Sequence, residues 1–345
     1  MKKLSVGIIG YGWAAGAHIE AINNSGLAEV RSIFSSRELD SDEVSQKHGP
    51  GLQVHTDLKE FLMDETLDVV SITSHPWKHR EQAELAALAG KHIILEKPMS
   101  LSLEDCQSLS KVIRETGVGF CLCFECRFSS QFKATKSIID QGLLGDIHYG
   151  EVDYYHGIGP WYGQYSWNVK KDGGCSSLLS AGCHALDALL YCMGGEVETV
   201  SSYSTKSRND DFSKYEYDTT SVTILKFTDG RVGKTSSVID CIQPYYFHTH
   251  LVGSQGSLLD NKIHTEKIHG LNKNKWGHLN FGLVDSGDVA DHPYQSQFTI
   301  FFQKILAGEP MVETGLDGAM KTHKVIFAAD LSAEEGKPIS IQSLV

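Results

Sequence analysis

The stretch KHIILEKPMS, residues 91–100, sets a glutamate and a lysine directly behind three apolar residues. Ile93, Ile94 and Leu95 read as a short buried strand, which Pro98 stops. A lysine at the carboxyl end of a strand lies where open α/β sheets bind their ligands. Lys97 is therefore a candidate to polarise a substrate oxygen or to take its proton, and Glu96 to orient Lys97 and its loop. A second set lies in GGCSSLLSAGCHALDALLYCMGG, residues 173–195. There Ser180, His184, Asp187 and Tyr191 recur at helical spacing on one stripe among apolar residues. A neutral imidazole at His184 can accept a proton directly. Gly182 weakens a helix from within, so its presence implies close approach by a neighbour.

The loop YYHGIGPWYGQYSW, residues 154–167, is long and rich in aromatic residues and glycine. Aromatic faces stack on sugar rings, and Tyr and Trp also offer hydrogen bonds. Trp161, Tyr162 and Trp167 form a candidate carbohydrate platform. Arg127, Tyr155 and Ser180 join Lys97 and His184 as expected substrate contacts.

The elements that must position these residues begin at the amino terminus. LSVGII, residues 4–9, is an apolar run, followed by Gly10-Tyr11-Gly12-Trp13-Ala14-Ala15 and a helical pattern through HIEAINN. Strand, glycine turn and helix make a dinucleotide-binding opening. Gly10 permits the tight turn, Gly12 lets the backbone approach a pyrophosphate, and Ala15 allows close helix packing. Gly10, Tyr11, Gly12, Trp13 and Ala14 are the expected phosphate-side contacts, helped by the helix N–H groups. The second strand, EVRSIFSSR, ends in Ser36 and Arg37. An acidic residue at this tip suits the ribose of NAD, whereas hydroxyl plus guanidinium suits a 2′-phosphate. Glu38 lies close by, so the expected cofactor is NAD or NADP, with a lean to NADP.

LDVVSITS, residues 67–74, reads as a third buried parallel strand. The helix HREQAELAALAG follows and stops at Gly90; a further helix begins at Ser102 as N-cap and leads to VGFCLCF. Strands alternating with helices imply a parallel, doubly wound sheet. Its strand ends share one edge, so Ser36, Ser74, His75, His79, Glu96 and Lys97 should face the cofactor together. The second half reads as strands and turns instead: GEVDYYH, TVSSYSTKS, TTSVTILKFTDGRVGKTSSVI with its Asp229-Gly230 hairpin signal, and YYFHTHLVGSQGSLLD.

The 345 residues suggest two domains, 1–123 and 124–345, with the boundary near 122–126. A net charge of −12 argues against nucleic acid or an anionic membrane as the main partner. The start mimics a signal peptide, but Gly7, Gly10 and Gly12 belong to the dinucleotide pattern. No apolar run is long enough to span a bilayer. Eight cysteines in mostly apolar surroundings read as reduced core thiols of a cytoplasmic protein. Cys121, Cys123 and Cys126 lack the second ligand pair of a structural zinc site, and no metal is expected.

GIIGYGWAAGAHIEAI together with AGKHIILEKPMS resembles the glucose–fructose oxidoreductase, inositol dehydrogenase and rhizopine-catabolism (Gfo/Idh/MocA) family. HPYQSQFTIFFQKILAGEP and KVIFAADLSAEEGKPISI resemble that family's closing helices. The resemblance implies an N-terminal Rossmann domain followed by an α+β domain on a large open, mostly antiparallel sheet. It implies a catalytic lysine at Lys97 and a catalytic histidine at His184, while the acidic position of the D-x-G-x-x-H pattern, whose spacing varies, falls on Ser180.

The chemistry implied is NAD(P)-dependent oxidation or reduction of a secondary hydroxyl of a sugar, glycoside or cyclitol. Either Lys97 or His184 acts as the base. Two alternatives stay open. One is a glycoside-cleaving enzyme that oxidises the sugar transiently and recycles its cofactor. The other is a non-catalytic nucleotide-sensing regulator. The second-half strands carry apolar or small residues on both faces, too many for one layer of helices to cover. A homodimer or homotetramer packed through sheet faces is therefore expected.

Overall fold

The computed structural model describes residues 3–344. Two compact units are resolved, dividing between Glu125 and Cys126. The first also takes residues 289–321, and the second takes 126–288 with 322–345.

The first unit alternates strand and helix: β1 (Leu4–Ile9), α1 (Ala15–Asn24), β2 (Ala28–Phe34), α2 (Ser41–His48), β3 (Gln53–His55), α3 (Leu58–Leu62), β4 (Val69–Ile72), α4 (His79–Leu88), β5 (His92–Leu95), α5 (Leu103–Thr116) and β6 (Phe120–Leu122). The six strands are parallel in the order β3-β2-β1-β4-β5-β6. The order reverses between β1 and β4, the switch point where such sheets bind ligands. Every residue of β1 and β4 is buried, as a parallel sheet covered on both faces requires. Helix boundaries follow local signals. The Ser102 hydroxyl accepts the Asp105 N–H at the start of α5, and Gly117 ends it in the left-handed region.

The sequence reading gave 67–74 as the third strand, but it is the fourth. The intervening β3 has three residues on the sheet edge, only partly buried, and so lacks an apolar signature.

Residues 289–321 join this unit because the helix Tyr294–Ala307 turns an aromatic face inward. Phe298, Phe301 and Phe302 are buried, and His18 of α1 packs against the Tyr294 and Phe298 rings at 4.6 and 4.9 Å. The second domain of the sequence reading, 124–345, is thus interrupted by a segment that packs elsewhere.

The second unit holds α6 (Ser130–Asp140), β7 (Ile147–Tyr155), α7 (Tyr165–Asn168), α8 (Cys183–Met193), β8 (Val197–Thr205), β9 (Thr220–Phe227), β10 (Val232–Val238), β11 (Tyr246–Gly253), β12 (Gly256–Leu259), β13 (Lys262–Thr265) and β14 (Gly277–His278). Late in the chain come α9 (the helix Tyr294–Ala307 described above), α10 (Leu316–Glu335) and β15 (Ile339–Ser340). The nine-stranded sheet runs β14-β13-β12-β11-β7-β10-β9-β8-β15, with β7 and β10 parallel and the other pairs antiparallel. α8 covers β7 and β10 on one face. No described helix is long and apolar enough to cross a membrane.

Candidate functional site

In the first unit the nucleotide edge forms around β1 and β4. Gly10 has φ +93°, and a side chain there would meet the Ser74 backbone at 2.9 Å, so only glycine fits the turn. The Thr73 hydroxyl donates to the Gly10 carbonyl at 2.7 Å and locks the crossing. α1 begins at Ala14 with no side-chain cap and no acidic residue in its first turn. An uncapped start free of acidic side chains suits a pyrophosphate. The Arg37 guanidinium donates to the Tyr11 carbonyl at 2.8 Å and ties the β2 tip to the glycine turn. Ser36 and Arg37 are exposed, whereas Ser35 is buried and its hydroxyl accepts the Arg37 N–H. Beyond β4, His75 and Trp77 stack at 4.4 Å and 7°, a flat plate at the strand end. The Ser74 hydroxyl is held by Gln82.

His79 departs from its expected place among the cofactor contacts. It is buried, and its ring nitrogens lie 2.7 Å from the Pro98 carbonyl and 3.1 Å from the Ser74 carbonyl. Burial lowers its pKa against the pull of those two carbonyls. The ring ties the loop after β4 to the loop after β5, so it sets the position of the edge rather than its chemistry.

Glu96 is also buried and fully engaged. One carboxylate oxygen lies 2.9 Å from His18 Nε2 and receives the Tyr294 hydroxyl at 2.7 Å. The other accepts the Lys97 N–H at 3.1 Å. His18 Nδ1 continues to the Ser71 hydroxyl at 2.8 Å. Burial opposes the charge on Glu96, but His18, Lys97 and Tyr294 outweigh it and bring its pKa down to about 2. Lys97 therefore follows a carboxylate fixed from three elements. Glu125 and His292 add a second ion pair at 3.1 Å.

Sequence reasoning named Glu96 and missed its partners. His18 reads as one polar residue in an amphipathic helix, and Tyr294 lies about two hundred residues away. The cysteines of CLCFEC are buried thiols. Burial pushes Cys121 up to about 12, and its sulfur lies 3.3 Å from the Thr314 hydroxyl.

In the second unit, Leu178–Gly182 forms a π-helical turn that runs into α8. A side chain on Gly182 would meet Ser237 of β10 at 2.4 Å, so the turn rests directly on the sheet, as the glycine implied. Ser237 pairs with Tyr154 of β7, which places the turn over that end of the sheet. His184 follows two residues later and is buried. Ser180 lies within this π-helical turn.

The rest of the polar stripe turns inward. Arg127 grips Asp187 with two bonds of 2.6 Å, and the Thr322 hydroxyl adds a third at 2.9 Å. The guanidinium carbon lies 4.9 Å from the centre of the Tyr191 ring. The charge of Arg127 is thus neutralised inside the protein, and the pair braces α8.

The β7 pleat bears on Tyr155 as well. Paired strands place Tyr155 on the outer face, stacked on Tyr246 at 6.1 Å. Tyr154 takes the inner position beside the π-helical turn, with its hydroxyl 3.0 Å from His156 Nδ1. His156 meets the rings of Tyr162 and Tyr245 edge-on at 5.0 and 4.9 Å. A cavity of about 460 Å³ opens here, lined by His156, Gly157, Trp161, Cys241, Ile242, Gln243 and Tyr245. Trp161 is 61% exposed and donates its indole N–H to the Gly157 carbonyl at 3.0 Å. Of the three platform candidates, Trp161 lines the cavity, Tyr162 supports His156 from behind, and Trp167 is half-buried and does not line it.

Residues 4–123 match the oxidoreductase family described as an NAD-binding Rossmann fold, and residues 132–259 match the GFO/IDH/MocA C-terminal domain. The chain belongs to the Gfo/Idh/MocA oxidoreductase family. Myo-inositol 2-dehydrogenase of Thermotoga maritima is 26% identical over 345 residues, 99% of this chain and 100% of the relative. D-glucoside 3-dehydrogenase of Escherichia coli is 27% identical over 59% of this chain and 58% of the relative. The fold matches scyllo-inositol dehydrogenase of Lactobacillus casei, crystallised with NAD(H) and scyllo-inositol, with a TM-score of 0.81 and 19% identity over 99% of this chain and 100% of that one. As a family member the protein is a nicotinamide-dependent oxidoreductase acting on CH–OH groups. Its Rossmann unit supplies the features a dinucleotide needs: the Gly10 turn, the uncapped start of α1 and the strand edge at the switch point.

Proposed function

We propose that this enzyme oxidises or reduces a secondary hydroxyl of a sugar, glycoside or cyclitol, with Lys97 and His184 as its catalytic residues. The observation that carries the reading is the buried carboxylate of Glu96, held by His18, Tyr294 and the Lys97 N–H at the carboxyl edge of a dinucleotide sheet. A lysine backbone fixed in this way supports a group that must meet one oxygen in one geometry. The bound nicotinamide would exchange hydride with the carbinol carbon. Lys97 and His184 would polarise the oxygen and move its proton. Relatives named for inositols and for a D-glucoside support the substrate class.

The cavity beside His156 favours substrates larger than a bare ring. It offers aromatic faces at Trp161 and Tyr245 together with polar atoms at His156 and Gln243. Ser180 replaces a carboxylate with a hydroxyl, so substrate orientation relies more on the imidazole and on this wall. Arg37 supports NADP over NAD as cofactor. The eight free thiols support a reducing, cytoplasmic setting.

A homo-oligomer, at least a dimer, fits the outer face of the nine-stranded sheet. Tyr203, Val222, Ile224 and Val232 stand 73%, 40%, 49% and 39% exposed there. The test of function is turnover with NAD⁺ or NADP⁺ against sugars, glycosides and cyclitols, followed by nicotinamide absorbance. Reduction with at least one polyol class is expected. Aglycone release without net cofactor change would instead establish transient oxidation. Absence of both, with cofactor bound, would refute the reading.

A further inference from the structure

We propose that the outer face of the nine-stranded sheet carries a zinc-type divalent cation site formed by His248, His250 and Glu151. The two histidines are two residues apart on β11, so both point to one face of the sheet. The register sets His250 opposite Glu151 and His248 opposite Asp153 on β7. One ligand atom from each of His248, His250 and Glu151 lies within 4.8 Å of the others. Tetrahedral zinc with bonds of about 2.0–2.1 Å separates its ligand atoms by about 3.3 Å. Small side-chain rotations close that difference.

The supporting groups are already in place. His248 Nδ1 lies 3.5 Å from Asp260 and 3.2 Å from the Tyr246 hydroxyl. This leaves Nε2, 4.0 Å from Glu151 Oε2, as the ligand atom. A carboxylate behind a ligating imidazole fixes its tautomer and raises its basicity. The Tyr149 hydroxyl donates to Glu151 Oε2 at 2.9 Å. The His250 ring packs edge-on against Tyr149 at 6.3 Å.

Charge points the same way. Lys234 bonds Glu151 Oε1 at 2.6 Å and Asp153 at 2.8 Å. Glu151, Asp153 and Asp260 set against this one ammonium leave a formal charge of −2, which a divalent cation would neutralise. Two imidazoles and one carboxylate suit zinc and disfavour calcium or magnesium. The site clamps β7 to β11, with water as fourth ligand. No catalytic residue takes part in it.

The experiment uses the full-length protein, stripped with EDTA and dialysed, then titrated with Zn²⁺ by calorimetry and with Co²⁺ by visible absorption. One zinc per chain and the intense bands of tetrahedral cobalt are expected. His250→Ala should weaken zinc binding about tenfold to a hundredfold and remove the cobalt bands. It should leave polyol turnover and the melting temperature in EDTA unchanged. Zinc should raise the melting temperature of the wild type and not of the variant. His269→Ala, an exposed histidine outside the cluster, should behave as wild type. Unaltered zinc affinity in His250→Ala, or no tetrahedral cobalt spectrum in the wild type, would overturn the site. The wild-type cobalt spectrum decides the matter even if the variant fails to fold.

Discussion

Glu96 and Lys97 were legible in the sequence because an apolar strand ending in two charges is unusual. What holds them was not legible. His18 and Tyr294 reach Glu96 only after α1 and α9 are packed together, and no local pattern records that contact. The network makes a pH prediction. Glu96 falls from an ordinary value of 4.5 to about 2 in the folded protein. Its contribution to stability, about 3 kcal/mol, is therefore complete above roughly pH 4.5 and is lost as pH falls toward 2. Glu96→Gln should flatten the acid limb of stability over that window, as urea unfolding at several pH values would reveal. It should also lower kcat at least about tenfold with little change in KM, because it misplaces Lys97 rather than removing a binding contact.

Arg37 is the other residue whose role turns on one measurement. If it grips a 2′-phosphate, Arg37→Ala should weaken NADP about tenfold to a hundredfold, the worth of one charge-assisted contact, and leave NAD nearly unaffected. Isothermal titration with both cofactors decides this. Affinities that are equal and insensitive to the substitution would remove the NADP preference.

At the scale of elements, periodicity located most strands and helices and even the close approach at Gly182. It did not reveal that Leu178–Gly182 winds as a π-helical turn, since side-chain type at five positions barely distinguishes the two windings. Nor could it assign faces at a strand end. Tyr154 and Tyr155 differ by one position, and that step exchanges the α8 side of the sheet for the outer side. The edge strand β3 escaped because three partly buried residues carry no alternation.

Gly182 tests the packing of this element. Gly182→Ala would drive a methyl group against Ser237 at 2.4 Å. It should cost about 1–3 kcal/mol of stability and displace the start of α8, lowering activity as well. Adding Ser237→Gly removes the opposing Cβ and should recover most of the melting temperature. Failure of the double variant to recover any would mean the turn does not rest on β10 as described.

For the whole molecule, composition argued against nucleic acid and membrane partners, strand–helix alternation pointed to the first sheet, and the second followed from the family resemblance, which the strand–turn patterns fit. The return of 289–321 to the first unit was not legible, because a helix's aromatic face does not name the surface that it will cover. The same holds for His248, His250 and Glu151, which meet through a register between strands about one hundred residues apart. The exposed apolar side chains on β8, β9 and β10 make a further prediction. Light scattering at low micromolar concentration should give at least twice the 38.0 kDa of one chain. Tyr203→Lys combined with Ile224→Lys should shift the protein toward monomer. A wild-type mass of one chain would reject the assembly.

The central claim is that Lys97 performs the chemistry at a nicotinamide edge. The direct measurement is turnover of a polyol substrate by Lys97→Met beside the wild type, with cofactor affinity measured in parallel. Cofactor binding should stay within a few-fold of wild type, and turnover should fall about a hundredfold to ten-thousandfold. Full turnover by Lys97→Met would contradict it.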